Sequence, residues 1–335
     1  MISLVTTVLN DCEGCKSFFA DMEAQTHVPN EIVIVDGGSR DGTWEFLQSY
    51  QPNKPYSLIV IQDAGCNVAR GRNLAIAQAK HDIIVSTDIG CKWEEEWLEE
   101  LAKPLLENKQ LESVMGSWAV KKEDINCNWA KVEYELLNQP KLIANPKSHA
   151  SSRSIAYRKS LWKKIGGYPE DLTLAADDMV FALLLHSTTN QVGCAPISRC
   201  SWERPSRLRA FGKEAYRNFF GAGEAGIWLK YGLLVGGRLL LEFVFLIISL
   251  LAFLWFPFKW IGLIFFLFPA FSICLRFIRL QPAIDRLKNN NFGYAWLKVL
   301  QFEYYVKFWG ILGYWNGFIL GTKKCHHCRA RLRGV

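Results

Sequence analysis

Val35-Asp36-Gly37-Gly38-Ser39-Arg40-Asp41-Gly42-Thr43 ends a β-branched apolar run on an acid, follows it with two glycines, and then starts a helix. Glycines let a flat ligand come close to the backbone, and Asp41 is placed to cap the helix entering at Thr43. Alone, the nonapeptide fits a plain strand–turn–helix connection as well as a binding loop. Its surroundings extend the pattern. Short β-branched runs at Ser3–Val8, Glu31–Asp36, Ser57–Ile61, Asp82–Thr87 and Ser113–Trp118 alternate with helical spacing at Cys15–Gln25, Thr43–Gln51, Val68–Ala79 and Glu94–Glu107. Alternation of this kind predicts an α/β fold, a mostly parallel sheet with helices on both faces. Ligands of such sheets bind outside the carboxyl ends of the strands, where Asn10, Asp11, Asp36 and Asp88 fall.

Half of the 335 residues are apolar and 21% are charged, which excludes a disordered chain. Residues 1–200 carry 20 Lys+Arg against 26 Asp+Glu, whereas residues 201–335 carry 19 against 6. The basic half also holds the longest apolar runs, Leu239–Phe256 and Trp260–Leu275, and neither has a polar face. Eighteen helical residues span about 27 Å, close to the ~30 Å hydrocarbon core, so a transmembrane hairpin is expected. Lys230, Arg238, Arg276, Arg279, Arg286 and Lys288 flank it, and basic flanks stay in the cytoplasm. With no signal peptide visible, residues 1–230 are expected to be cytosolic at the inner face of a cell membrane, and the ten cysteines reduced. Trp296–Leu320, with Gly313, Gly317 and Gly321 every fourth residue, reads as an interfacial or re-entrant helix. Cys325-His326-His327-Cys328 has zinc-ligand chemistry but no second ligand pair, so a basic tail is the better reading and no metal is assigned there.

Two further stretches follow strands. Gly65-Cys66-Asn67-Val68-Ala69-Arg70-Gly71-Arg72-Asn73 opens a helix whose amides and arginines suit a phosphate, although a charged helix start would look the same. Val85-Ser86-Thr87-Asp88-Ile89-Gly90-Cys91 ends an apolar strand on a carboxylate that needs a partner, a hydroxyl or a metal. The three motifs in this order resemble family 2 of the glycosyltransferases, inverting enzymes of the GT-A fold, over about residues 1–225. The resemblance implies a nucleotide-sugar donor, with Thr7 and Asp36 at the base (Asp36 accepting the imide N–H of uracil) and Arg72 beside the base or diphosphate. Asp88 matches the first acid of the family's Asp-x-Asp motif and would be the metal ligand. The second acid is Gly90 here, and Leu9 stands where many members have Tyr, so dependence on Mg2+ or Mn2+ is left open. Asp177-Asp178, after Gly166-Gly167-Tyr168-Pro169-Glu170, resembles the family's Glu-Asp catalytic pair. Asp178 would be the base that deprotonates the acceptor hydroxyl, and Asp177 would orient its neighbours.

Glu214-Ala215-Tyr216-Arg217 only partly matches the Gln-x-x-Arg-Trp of relatives. Arg204 and Arg217 suit a diphosphate, an acceptor phosphate or anionic headgroups equally. The expected organisation is a GT-A domain over 1–225 (nucleotide half 1–118, acceptor half 119–225), the hairpin over 226–280, and a membrane-associated helix with a basic tail over 281–335. The expected partners are the donor and a membrane acceptor such as a polyprenyl phosphate or lipid-linked glycan, with self-association open. Nucleic acid is not expected, because the basic excess adjoins the membrane segment. A processive polysaccharide synthase and a non-catalytic nucleotide-sugar-binding scaffold are the alternatives.

Overall fold

The computed structural model describes residues 1–120, 125, 127–137, 151–255 and 259–333. The stretch Asn145–Ser154 reads as a loop in the sequence; its residues 145–150, and the hairpin turn at 256–258, lie outside the described residues. The chain forms two compact units. One, made of Met1–Asp124, Pro140–Arg204 and Lys323–Val335, is built on a sheet; the other, made of Ile125–Gln139 and Pro205–Thr322, is helical.

In the sheet unit the strands are β1 (Ile2–Val8), β2 (Glu31–Asp36), β3 (Ser57–Gln62), β4 (Ile83–Ser86), β5 (Cys91–Trp93), β6 (Ser113–Ala119), β7 (Ile155–Arg158) and β8 (Val192–Trp202). They form one sheet in the order β3-β2-β1-β4-β7-β6-β8-β5. β1, β2, β3 and β4 run parallel, joined through α1 (Cys12–Glu23), α2 (Thr43–Ser49) and α3 (Val68–Gln78). The order reverses between β1 and β4, and doubly wound sheets bind ligands at such a reversal. Beyond β4 the sheet is mixed: β7 is antiparallel to both β4 and β6, and β5 is antiparallel to β8. Burial follows the sequence. Every residue of β2 is buried, as a strand covered on both faces requires, and Ile2, Leu4, Ile32, Ile34 and Val85 pack on Phe18, Phe19 and Met22 of α1.

Local chemistry sets the helix limits. Asp11 accepts from the Gly14 amide at 3.0 Å, so α1 starts three residues earlier than expected. Glu95 and Glu96 form a turn in which the Trp97 amide donates to the Glu94 carbonyl at 2.9 Å, so α4 (Trp97–Glu107) starts three residues later than expected. α6 (Lys159–Ile165) follows β7 and α7 (Asp177–Thr188) precedes β8. The helix α12 (His326–Leu332) also belongs to this unit: Arg331 donates to the carbonyls of Ile165 (2.9 Å) and Gly167 (2.7 Å), and the Cys328 amide to Asp171 (2.9 Å). The Cys325 thiol donates to the Asp171 carbonyl at 3.0 Å, so the Cys-His-His-Cys stretch is built into the packing of this unit rather than left as a free tail.

The helical unit holds α5 (Asn128–Leu137), α8 (Leu208–Ala225), α9 (Leu229–Leu254), α10 (Lys259–Asn289) and α11 (Ala295–Lys324). By contact, α8 groups with these helices. α9 and α10 are long and apolar enough to cross a membrane, with mean hydropathies of 2.3 and 2.2. α11 is one continuous helix of 30 residues. Its glycine stripe packs on α8, where a Cβ at Gly313 or Gly317 would overlap the carbonyl of Tyr216 or Phe220. Glu242 of α9, only 4% exposed, accepts from Arg276 (2.8 Å) and Ser272 of α10 and from Tyr304 of α11 (3.1 Å).

Candidate active site

The site lies at the carboxyl ends of β2 and β4. Asp36 has no exposed surface. Its carboxylate accepts from the Gly38 amide (3.1 Å), the Ser39 amide (3.0 Å), the Ser39 hydroxyl and the Gln62 side-chain amide (2.8 Å). It therefore anchors its own glycine loop, and a base reaching it would have to displace one of these donors. Thr7 of β1 is half-buried, paired in register with Val35. A Cβ at Gly71 would come within 2.9 Å of its Cγ2, so the glycine between the two arginines of α3 is what lets that helix close on β1.

Arg72 is placed between two carboxylates rather than at an open surface. Only 2% exposed, it donates to Asp88 (2.7 Å) and Asp177 (2.5 Å) and lies 5.0 Å over the Tyr168 ring. Desolvation works against its charge, and the two carboxylates more than offset that, raising its pKa. One buried guanidinium thus joins the acid after β4 to the acid pair that opens α7. The pair is reached through Ala176, buried and left-handed at φ 71°, a conformation that costs a non-glycine residue about 1–2 kcal/mol. Burial, and after it the charge of Asp177, pushes the Asp178 carboxyl up to about 6, against the opposing pull of Arg153 and Arg72. A carboxyl titrating near the working pH suits a general base.

Sequence reasoning missed Arg153. The antiparallel register Ser86↔Ile155 brings the residues just before β7 alongside those just after β4. The Thr87 hydroxyl donates to the Arg153 carbonyl at 2.8 Å and the Trp97 indole to the Ser154 hydroxyl at 2.9 Å. The Arg153 guanidinium lies 3.8 Å from Asp88 and 4.6 Å over the Trp202 ring, with 38% of its side chain exposed. Desolvation opposes its charge, yet Asp88 holds its pKa above the ordinary value. No motif marks it; the signal is that one buried arginine faces the acids of two motifs and leaves room for a second cation.

The described residues do not fit a protein-built divalent site. Asp88 offers one carboxylate, already shared by two guanidinium groups. Gly90 is left-handed at φ 93°, so an aspartate there would be strained. No cluster of three His, Cys, Asp or Glu able to hold a metal exists among the described residues. Of the two late arginines, Arg204 sits just after β8 and is half-buried, while Arg217 is an exposed residue of α8 in the helical unit.

Acids at the ends of parallel strands, joined to an acid pair at a helix start, are the features of a GT-A glycosyltransferase domain. Residues 3–166 match the model of Glycosyl transferase family 2, and the chain belongs to that family. It is similar to the O-antigen chain rhamnosyltransferase WbaN of Salmonella anatum, with 25% identity over 191 residues, 54% of this chain and 59% of that protein. Glycosyltransferase AglE of Haloferax volcanii is 23% identical over 241 residues, 68% of this chain and 74% of that protein. Among solved structures, the mannosyltransferase PcManGT from Pyrobaculum calidifontis, in complex with GDP-Man and Mn2+, shares the fold with a TM-score of 0.57. It is 17% identical, over 94% of this chain and 87% of that one. The match to the rhamnosyltransferase thus spans about three-fifths of that relative's length.

Proposed function

We propose that the chain transfers a sugar, with inversion, from a UDP-linked donor to a membrane-associated acceptor such as a polyprenyl phosphate or a lipid-linked glycan. The observation that carries this reading is the Arg72 bridge, which ties Asp88 to the pair that includes the raised Asp178 carboxyl. With a lipid-linked glycan, Asp178 takes the proton of the acceptor hydroxyl as its oxygen bonds to the anomeric carbon, whereas a polyprenyl phosphate attacks through an oxygen that is already anionic. The bond from that carbon to the β-phosphate oxygen breaks on the opposite face, and its electron pair leaves with the nucleoside diphosphate. Holding base, acceptor and donor in line supplies much of the rate, and fixed cations meet the charge on the departing group. Thr7 and the Asp36 loop receive the base, and Arg204 and Arg217 attract anionic groups. Relatives are named for the O-antigen chain and for poly-β-1,6-N-acetyl-D-glucosamine, and α9 and α10 suit an anchor that keeps the sheet unit at the cytoplasmic face of the membrane. Mn2+ accompanies the donor in the archaeal mannosyltransferase; here Asp88 would be its one carboxylate ligand, and no step above depends on it.

The test is nucleotide release by the detergent-purified full chain, offered UDP-, GDP- and dTDP-sugars with a polyprenyl phosphate, with and without Mn2+ or Mg2+. Release from a UDP-sugar that needs the acceptor supports the proposal, and a chelator then decides the metal question. Binding of donor without release under any condition would sink it in favour of a non-catalytic sugar-nucleotide binder.

A further inference from the structure

Two arginines face Asp88, and they differ in what they can do for a ligand. Arg72 is sealed in the protein and committed to two carboxylates. Arg153 is anchored through its backbone, to the Thr87 hydroxyl and the Cys200 thiol, while its guanidinium keeps an exposed face. Its 3.8 Å separation from Asp88 is a loose ion pair, longer than a charge-assisted hydrogen bond of about 2.7–2.9 Å. The Trp202 ring supports it from one side at 4.6 Å, which keeps the planar fork oriented with little side-chain entropy left to lose. A guanidinium held in this way at the carboxyl end of β4 suits bidentate recognition of a phosphate.

We infer that Arg153 is the diphosphate-binding residue of this site, with Asp88 as the carboxylate that holds it ready and Trp202 as the platform beneath it. The inference rests on the nucleotide-sugar reading above and deepens it. On donor binding, the fork turns from its loose pair with Asp88 to the β-phosphate oxygens. On cleavage of the sugar–phosphate bond, it faces the additional negative charge of the nucleoside diphosphate. Arg72 keeps the acids in place and does not touch the ligand. A cation in this position supplies the charge that the missing second acid of Asp-x-Asp cannot recruit through a metal.

The experiment is calorimetric titration of the full chain in detergent, in EDTA, with UDP, GDP and dTDP. The tightest of these is then compared with its monophosphate and its nucleoside, for wild type, Arg153→Ala and Arg153→Lys. Arg153→Ala is expected to weaken the diphosphate ten- to hundredfold while nucleoside affinity stays within twofold. Arg153→Lys, keeping the charge but losing the fork, should recover only part of the difference. Unchanged diphosphate affinity in Arg153→Ala, or equal loss of diphosphate and nucleoside, would overturn the assignment of Arg153 alone. Wild type that bound a diphosphate only when Mn2+ replaced EDTA would overturn the inference and leave the nucleotide-sugar reading standing, whereas binding of none of the three in either condition would overturn both.

Discussion

Asp178→Asn separates the roles of charge and shape at the candidate base. The carboxyl rises from an ordinary value of 3.8 to about 6, so the folded chain holds a proton there that the unfolded chain has already released. Stability therefore falls as pH rises from about 4 through 6, and the full penalty is present at neutral pH. At 1.36 kcal/mol per tenfold, the rise corresponds to about 3 kcal/mol, and the solvent that still reaches the side chain brings the expectation to about 2 kcal/mol. The isosteric amide removes the charge, so Asp178→Asn should melt about 4–8 °C above wild type at pH 8, with the difference vanishing near pH 4. Turnover onto a hydroxyl acceptor should be lost and donor affinity kept. In wild type, kcat should rise with pH up to about 6 and level off above it. Thermal melts across pH 4–9, paired with nucleotide release, test this. Equal melting of the two proteins at pH 8, or an advantage that persists at pH 4, would refute the desolvated carboxyl, and normal turnover would refute the base.

Arg72→Met leaves Asp88 and Asp177 facing each other without their shared cation, and the loss should be about 3–5 kcal/mol, read as a drop in melting temperature that low pH partly relieves. Gly71→Ala places a methyl against Thr7 Cγ2, and repacking α3 on β1 should cost about 1–3 kcal/mol in a denaturation series. In the helical unit, Glu242→Leu strands Arg276 and should lower thermal stability sharply, whereas Glu242→Leu combined with Arg276→Leu should recover much of the loss, since matched apolar groups replace a buried pair at little cost.

The parallel half of the sheet was legible because each of its strands is a short β-branched run bounded by turn residues. Glu31–Asp36 is observed with the limits its sequence predicts, and Ser57–Ile61 gains one residue. In the mixed half β6 was legible too, predicted over Ser113–Trp118 and observed over Ser113–Ala119, but β5, β7 and β8 carried no such pattern. β8 contains Pro196, and its pairing with β6 shifts register between Gly116 and Ser117, jumping from Ala195 to Arg199, so side chains do not alternate along it. β5 is only three residues long, too short for an alternating pattern to show. Asp36 and Asp88 could be read because each closes an apolar run, where an unpaired charge is costly, and Asp177 and Asp178 because they resemble the family's acid pair. Their partners could not. The Arg72 bridge joins residues 105 apart in sequence, and Arg153 reaches Asp88 only through the antiparallel register of β7, in a polar stretch that reads as ordinary loop.

The return of residues 323–333 to the sheet unit sets an order of events during synthesis. The polypeptide enters and leaves that unit more than once, and the whole stretch Pro205–Thr322 separates its last strand from α12. At about 5–20 residues per second, Arg331 reaches the carbonyls of Ile165 and Gly167 roughly 6–26 s after β8 has left the ribosome. Until then the turn that leads to Asp177 and Asp178 is held from α3 and its cap, by Asn73 on the Tyr168 carbonyl and Asn67 on those of Glu170 and Leu172, and lacks the donors from α12. The two apolar helices emerge, and can find lipid, before that turn is closed. The last contacts on the turn before the acid pair thus form only after the apolar helices have been made.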